Sequence, residues 1–147
     1  MKAKDYLLQL RKIDKLIENK LAERERWNAI ATSVTQQLSA DRVVTSSNPQ
    51  KMENAILNLI EAENEVDAVI AGCVETRREI IATIDRVCNA NPTYYEVLHE
   101  LYVQDFTLSD VAEKRGQSRA WADQTHGRAL NIVQRIIDER ERNALHS

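Results

Sequence analysis

Three glycines, two prolines and few aromatic side chains (two Trp, four Tyr, one Phe) leave this chain of 147 residues poor in helix breakers and in the residues that favour sheets. With many Ala, Leu, Ile, Glu, Arg and Lys in their place, that scarcity excludes a turn-rich β fold and predicts an all-α protein with long helices. There are only two cysteines, Cys73 and Cys88, both within helical patterns, which excludes a disulfide framework and predicts reduced, packed thiols. His99, His126 and His146 share no ligand spacing with each other or with the cysteines, so no structural metal site is expected. No apolar run approaches the ~20 residues that span a bilayer. The opening MKAKDYLLQLRKIDK is interrupted by charge throughout, unlike a signal-peptide core, and a cytoplasmic protein is expected. A Gly-rich phosphate loop, a nucleophile elbow and an HExxH pattern are all missing. Glu61, Glu63 and Glu65 alternate along a helix and point in different directions, as solvated charges do. The chain is therefore expected to be no enzyme and to need no cofactor.

Charge is plentiful but unevenly placed. The formal net charge is −3. Residues 1–47 carry nine basic and six acidic side chains, residues 48–90 four and eight, and residues 91–147 seven and nine. Within Gly116–Arg135, however, Arg119, Arg128 and Arg135 are opposed only by Asp123. A nucleic acid would meet a locally basic helix on a mildly acidic domain, and one copy would bind weakly.

Residues 1–90 read as a long antiparallel helical hairpin, suited to oligomerisation. The first helix covers about Ala3–Leu38, with the stripe Tyr6, Leu10, Ile13, Ile17, Trp27, Ala31, Val34, Leu38 and with Lys20 and Arg24 filling its gap. Steps alternating four and three make a heptad seam. The second helix starts at Asn48–Pro49, an N-cap followed by Pro at the first helical position, and runs to about Asn89. Its stripe is Met52, Ile56, Leu59, Glu63, Val66, Ile70, Cys73, Arg77, Ile80, Ile84, Val87. Folding back at the polar SADRVVTSSNPQ places Leu38 near Met52 and Arg24 or Trp27 near Glu63. Either Arg24 meets Glu63 or both side chains extend past the seam into water. Leu7, Leu21, Ile30, Ile60, Val69 and Ile81 lie off the seams and offer a second contact surface, for another subunit or for the C-terminal domain.

Residues 91–147 read as a small helix-turn-helix domain. Asn91–Pro92 ends the second long helix and starts a third, about Pro92–Gln104, with Tyr95, Leu98, Leu101 and Tyr102 as candidate core. Thr107–Asp110 has the pattern of a capping box for a helix over Leu108–Arg115 whose inward residues are Leu108, Val111 and Ala112. Ser118 caps the last helix, Arg119 to about Arg142. Ala112, Gly116 and Ala122 stand four and six apart. That places a small residue where two helices cross, a glycine for a left-handed turn, and an apolar residue seating the second helix.

On the last helix Ala122, Ala129, Val133 and Ile136 fall on one side, bordered by His126 or Thr125. Arg119, Ala120, Asp123, Gln124, Gly127, Arg128 and Asn131 fall on the other. Arg can donate twice to guanine and Gln can bond adenine in a bidentate way, while Ala120 and Gly127 remove bulk from a face approaching a major groove. Ser118 puts a positive helix end where a phosphate could sit, and Trp121 or Thr125 could touch a thymine methyl or a phosphate. Ser118, Arg119, Ala120, Trp121, Gln124, Thr125 and Arg128 are thus the expected DNA contacts. The bland alternative is an ordinary solvated face, with Trp121 and His126 as packing residues.

LHELYVQDFTLSDVAEKRGQS, from Leu98 to Ser118, followed nine residues later by Gly127–Arg128–Ala129–Leu130, resembles region 4 of sigma-70-type factors. From MKAKDYLLQLRKIDKLIENK to THGRALNIVQRIIDER the chain resembles small phage and prophage proteins of Gram-positive bacteria related to the ArpU and RinA types of late-operon regulators. Ala122 and Asp123 stand where sigma-like helices have a larger aliphatic and a basic residue. The resemblance implies a phage-derived transcriptional regulator that acts on double-stranded DNA as a homodimer held through the hairpin, with Arg119, Ala120, Gln124 and Arg128 contacting bases or phosphates. Two alternatives are expected to compete with it: an adaptor that binds RNA polymerase or another regulator, and a packaging protein like the small terminase subunits.

Overall fold

The computed structural model describes residues 1–40 and 49–146, with side-chain surroundings for 1–36 and 50–146. Every regular element among them is helical: α1 (Ala3–Ala40), α2 (Pro49–Ala90), α3 (Pro92–Leu98) continued by a π-helical turn (His99–Val103), α4 (Leu108–Arg115) and α5 (Arg119–Leu145). The protein is all-α. No helix among the described residues is long and apolar enough to cross a membrane. The cap expected at Asn48 and the surroundings of Leu38 lie outside the described residues.

The chain divides into two compact units, and the division does not fall at residue 90. One unit joins Met1–Asp14 to Glu75–Ser147, and the other is Lys15–Val74. The ends of the long helices belong with the C-terminal helices because they share a core. Leu7 and Leu10 of α1 and Ile80, Ile84 and Val87 of α2 are buried together with Val97, Leu98, Val111, Ala129 and Val133. Full burial of one such side chain contributes about 1.5–3 kcal/mol, against about 0.2–1 kcal/mol for an exposed ion pair. The core, rather than the Asp14–Arg77 bridge (2.7 Å), therefore holds the long-helix ends in this unit. Within it, Tyr6 pairs with Thr83 and Asp14 with Arg77, so a step forward along α1 meets a step back along α2. The amide of Ala3 donates to Gln134 Oε1 (2.7 Å), tying the start of α1 to α5.

Among the described residues the second unit consists of two helix segments, one of α1 and one of α2. Their seam follows the heptad pattern, with Ile17, Trp27, Ala31, Val34, Met52, Leu59, Glu63, Ile70 and Cys73 half-buried. Val66 is the one hydrophobic side chain of this unit, among the described residues, that is fully withdrawn from water. Arg24 does not meet Glu63. It pairs with Asp67 (3.2 Å), one turn further along α2. A carboxylate at the flank keeps one side open to water, whereas Glu63 lies beside Ala31, Val34, Ile56 and Leu59. Both cysteines are free and half-buried.

Short-range chemistry sets the helix ends. Asn91 is extended and its Oδ1 accepts from the amides of Thr93 (2.9 Å) and Tyr94 (3.3 Å), with Pro92 at the first helical position. Thr107 and Asp110 form a reciprocal capping box. The helix expected over Pro92–Gln104 widens in its last turn. The Gln104 amide donates to the His99 carbonyl, five residues back, and that of Phe106 to the Glu100 carbonyl, six back. Asp105 closes the turn at φ +59°, a left-handed conformation that Asp tolerates better than most residues. The widened turn buries Glu100, Leu101 and Tyr102 in succession.

Candidate nucleic-acid interface

α4 and α5 meet through a three-residue turn. Gly116 ends α4 at φ +63° and ψ +31°, the amides of Gly116 and Gln117 returning to Glu113 and Ala112 carbonyls. A Cβ at Gly116 would meet no neighbour, so the backbone angle alone selects glycine there. Ser118 then caps α5, its Oγ accepting from the Trp121 amide (3.1 Å). Ala112 and Ala122 are both buried. These three short devices fix the angle at which α5 leaves α4, and with it the residues α5 turns outward.

Ala122, Thr125, Ala129, Val133, Ile136 and Ile137 form the buried side of α5. Arg119, Ala120, Asp123, Gln124, Gly127, Arg128, Asn131 and Arg135 are exposed. The structure therefore brings five of the seven expected contacts, Ser118, Arg119, Ala120, Gln124 and Arg128, to the surface at the start and outer face of one helix. The other two need correction. Thr125 is buried at 6% exposure, because it lies three residues after Ala122 and four before Ala129 on the inward stripe, and it cannot reach a base or phosphate. Trp121 is half-buried and packs on the hydrophobic core, so at most its edge is free.

The charges of this surface are not all available. Lys114 (3.1 Å) and Arg115 (2.8 Å) both bond Glu100 Oε1, and Arg115 also bonds Glu96 (2.9 Å). Burial disfavours the charged form of Arg115, and the hydrogen bonds to Glu96 and Glu100 more than restore it. Glu100 is itself buried, so the cations of α4 serve the domain's own interior beside a cleft of about 450 Å³ shared with Tyr95, His99 and Gln104. Arg119 donates to Ser109 Oγ (2.9 Å) and faces Asp123 at 3.9 Å, which orients it across the start of α5 without burying it. Arg128 and Arg135 meet no carboxylate among the described residues.

Behind the outer face, His126 is half-buried and its Nε2 lies 2.7 Å from Tyr102 Oη. Burial, then Lys4, lowers its pKa, and Asp123 opposes them. His126 is a packed, hydrogen-bonded residue, and Lys4 stands near it because the start of α1 is tied to α5. Gly127 is exposed in mid-helix, and nothing lies within 4 Å of where its Cβ would be. No packing contact among the described residues requires a glycine there.

Sequence reasoning missed two features. The clamp of Lys114 and Arg115 on Glu100 depends on the π-helical turn, for which an apolar period of 3.6 carries no signal. The position of Lys4 near His126 depends on the start of α1 packing on α5, which Leu7 foreshadowed as an apolar residue off the seam. Compared with models of protein families, with curated proteins and with solved structures, the chain matches none.

Proposed function

We propose that the protein is a DNA-binding transcriptional regulator of phage type, in which α5 enters the major groove and presents Arg119, Gln124, Arg128 and Asn131 to base edges and phosphates. The observation that carries this reading is the outer face of α5. It holds Arg128 and Arg135, which meet no carboxylate among the described residues, the bidentate-capable Gln124, and two positions without bulk, Ala120 and Gly127, on a helix whose other side is locked into a core. A glycine that costs about 1 kcal/mol in mid-helix and meets no neighbour fits a face that another molecule approaches closely. Ser118 and the free end of α5 suit a phosphate, and Lys4, near His126, adds charge beside the helix.

With so few free cations, affinity at moderate salt calls for two copies on two half-sites. The acidic balance of residues 91–147, nine carboxylates to seven cations, favours a second reading: an adaptor that binds RNA polymerase or another regulator through the same face. Selection of duplexes from a random pool by the full chain separates the two. Enrichment of one sequence, with binding that falls steeply as salt rises, is the expected result. No enrichment at low salt removes the DNA reading.

A further inference from the structure

We infer that the unit Lys15–Val74 is completed by a second copy of this chain, docked on the flank that carries Leu16, Ile30 and Val69. The inference does not rest on DNA binding. Two helix segments cannot enclose a core: the seam here is half-buried, and Val66 is the one fully buried hydrophobic side chain among the described residues of the unit. Its surface instead holds exposed large apolar side chains.

Their placement distinguishes the two flanks. Counting from the seam, Leu16, Glu23 and Ile30 fall on one side of α1, and Ala55, Ala62 and Val69 on the matching side of α2. Leu16, Ile30 and Val69 are about 40% exposed or more. The two alanines leave room for another helix to approach. Asp67 falls on the opposite flank, where the Arg24–Asp67 bridge keeps the surface polar, although Leu21 and Ile60 also lie on that side.

The apolar flank is also complementary to itself. A groove of about 550 Å³ with Trp27 at its side is lined by Asn19, Ala22, Glu23, Arg26 and Ile30. Arg26 makes no ion pair among the described residues, and Glu23 meets its neighbour Lys20 (2.9 Å) and the Trp27 side chain, with no cation from α2 on it among those residues. A two-fold axis crossing α1 between Arg24 and Glu25 sets Glu23 against Arg26 of the second copy twice, and seats Ile30 in the hollow beside Asn19 and Ala22. That is the self-matching an isologous interface needs. Segments of this length make a face of about 35 by 20 Å, or about 1,400 Å² over both copies, within the ~1,200–2,000 Å² of stable interfaces. The product is a four-helix bundle.

The test is sedimentation equilibrium of the full chain over about 1–100 μM, with helicity followed by circular dichroism. Wild type is expected to be a dimer. Ile30→Glu should raise the dimer dissociation constant at least about tenfold with helicity retained, because it sets a charge in the contact. Leu21→Glu, on the other flank, should leave the dimer intact. Glu23→Arg alone should weaken it, and Glu23→Arg with Arg26→Glu should restore it. A monomeric wild type, an assembly larger than a dimer, a dimer indifferent to Ile30→Glu, or a charge swap without recovery overturns the inference. A dimer that selects no DNA leaves this interface standing and removes only the functional reading above.

Discussion

Tyr102 Oη and His126 Nε2 lie 2.7 Å apart and join the π-helical turn to α5 just behind the outward residues. Burial, opposed by Arg11, pushes the Tyr102 pKa up to about 12, so the phenol keeps its proton at any working pH. Burial and then Lys4 lower that of His126, with Asp123 opposing, so the imidazole is neutral near pH 7. A neutral imidazole can accept the phenol proton at Nε2, and an imidazolium cannot.

A pH dependence follows. Unfolded, His126 titrates near 6.5, and folded it titrates lower. Between those values only the unfolded chain takes up the proton, so stability is full above about pH 6.5 and falls as the pH drops through the window. Denaturant midpoints from pH 7.5 down to pH 5 should decline for wild type more than for His126→Gln. Parallel profiles for the two would show that His126 is not linked to folding.

The off-seam leucines separate the two units energetically. Leu7 is completely buried, whereas Leu21 is 46% exposed. Leu7→Ala should cost about 2–5 kcal/mol through lost burial and the cavity left behind. Leu21→Ala should change stability by about 0.5 kcal/mol or less. Comparable losses in urea melts would contradict the assignment of the α1 start to the C-terminal core.

Two glycines should respond with opposite sign. Gly116 stands at φ +63°, and alanine there carries the strain of a left-handed side chain, about 1–2 kcal/mol of destabilisation. Gly127 is helical with open space around its missing Cβ, so Gly127→Ala should gain about 1 kcal/mol. In the DNA-binding reading the gain comes without tighter DNA binding, because the added methyl stands on the approaching face. Thermal melts and duplex titrations of the same variants check both halves.

Local signals made much of this fold legible beforehand. Asn91–Pro92, Thr107–Asp110, Gly116 and Ser118 each act within four residues, and the caps and turn form where those residues stand. The all-α class follows from the scarcity of breakers for the same reason. What depends on distant partners was not legible. Leu7 and Ile81 lie equally off the seam with Leu21 and Ile30, yet the first pair packs on the C-terminal core and the second stays exposed. Thr125 sits at the edge of a stripe where a shift of a few tens of degrees decides burial, and the core of the unit draws it inward. The cations of α4 look free in the sequence until the π-helical turn carries Glu100 beneath them.

The most direct test of the central claim is titration of the full chain, wild type and Arg128→Ala, against a duplex it selects, at several salt concentrations. Arg128 is exposed and unpaired among the described residues, so its loss should leave the melting temperature unchanged. Affinity should fall by about 1–3 kcal/mol with relaxed specificity if Arg128 reads a base, or uniformly with a salt slope shallower by about 1 if it holds a phosphate. Affinity and salt slope equal to wild type, in Arg128→Ala and again in Arg119→Ala, would contradict the claim that this face of α5 enters DNA.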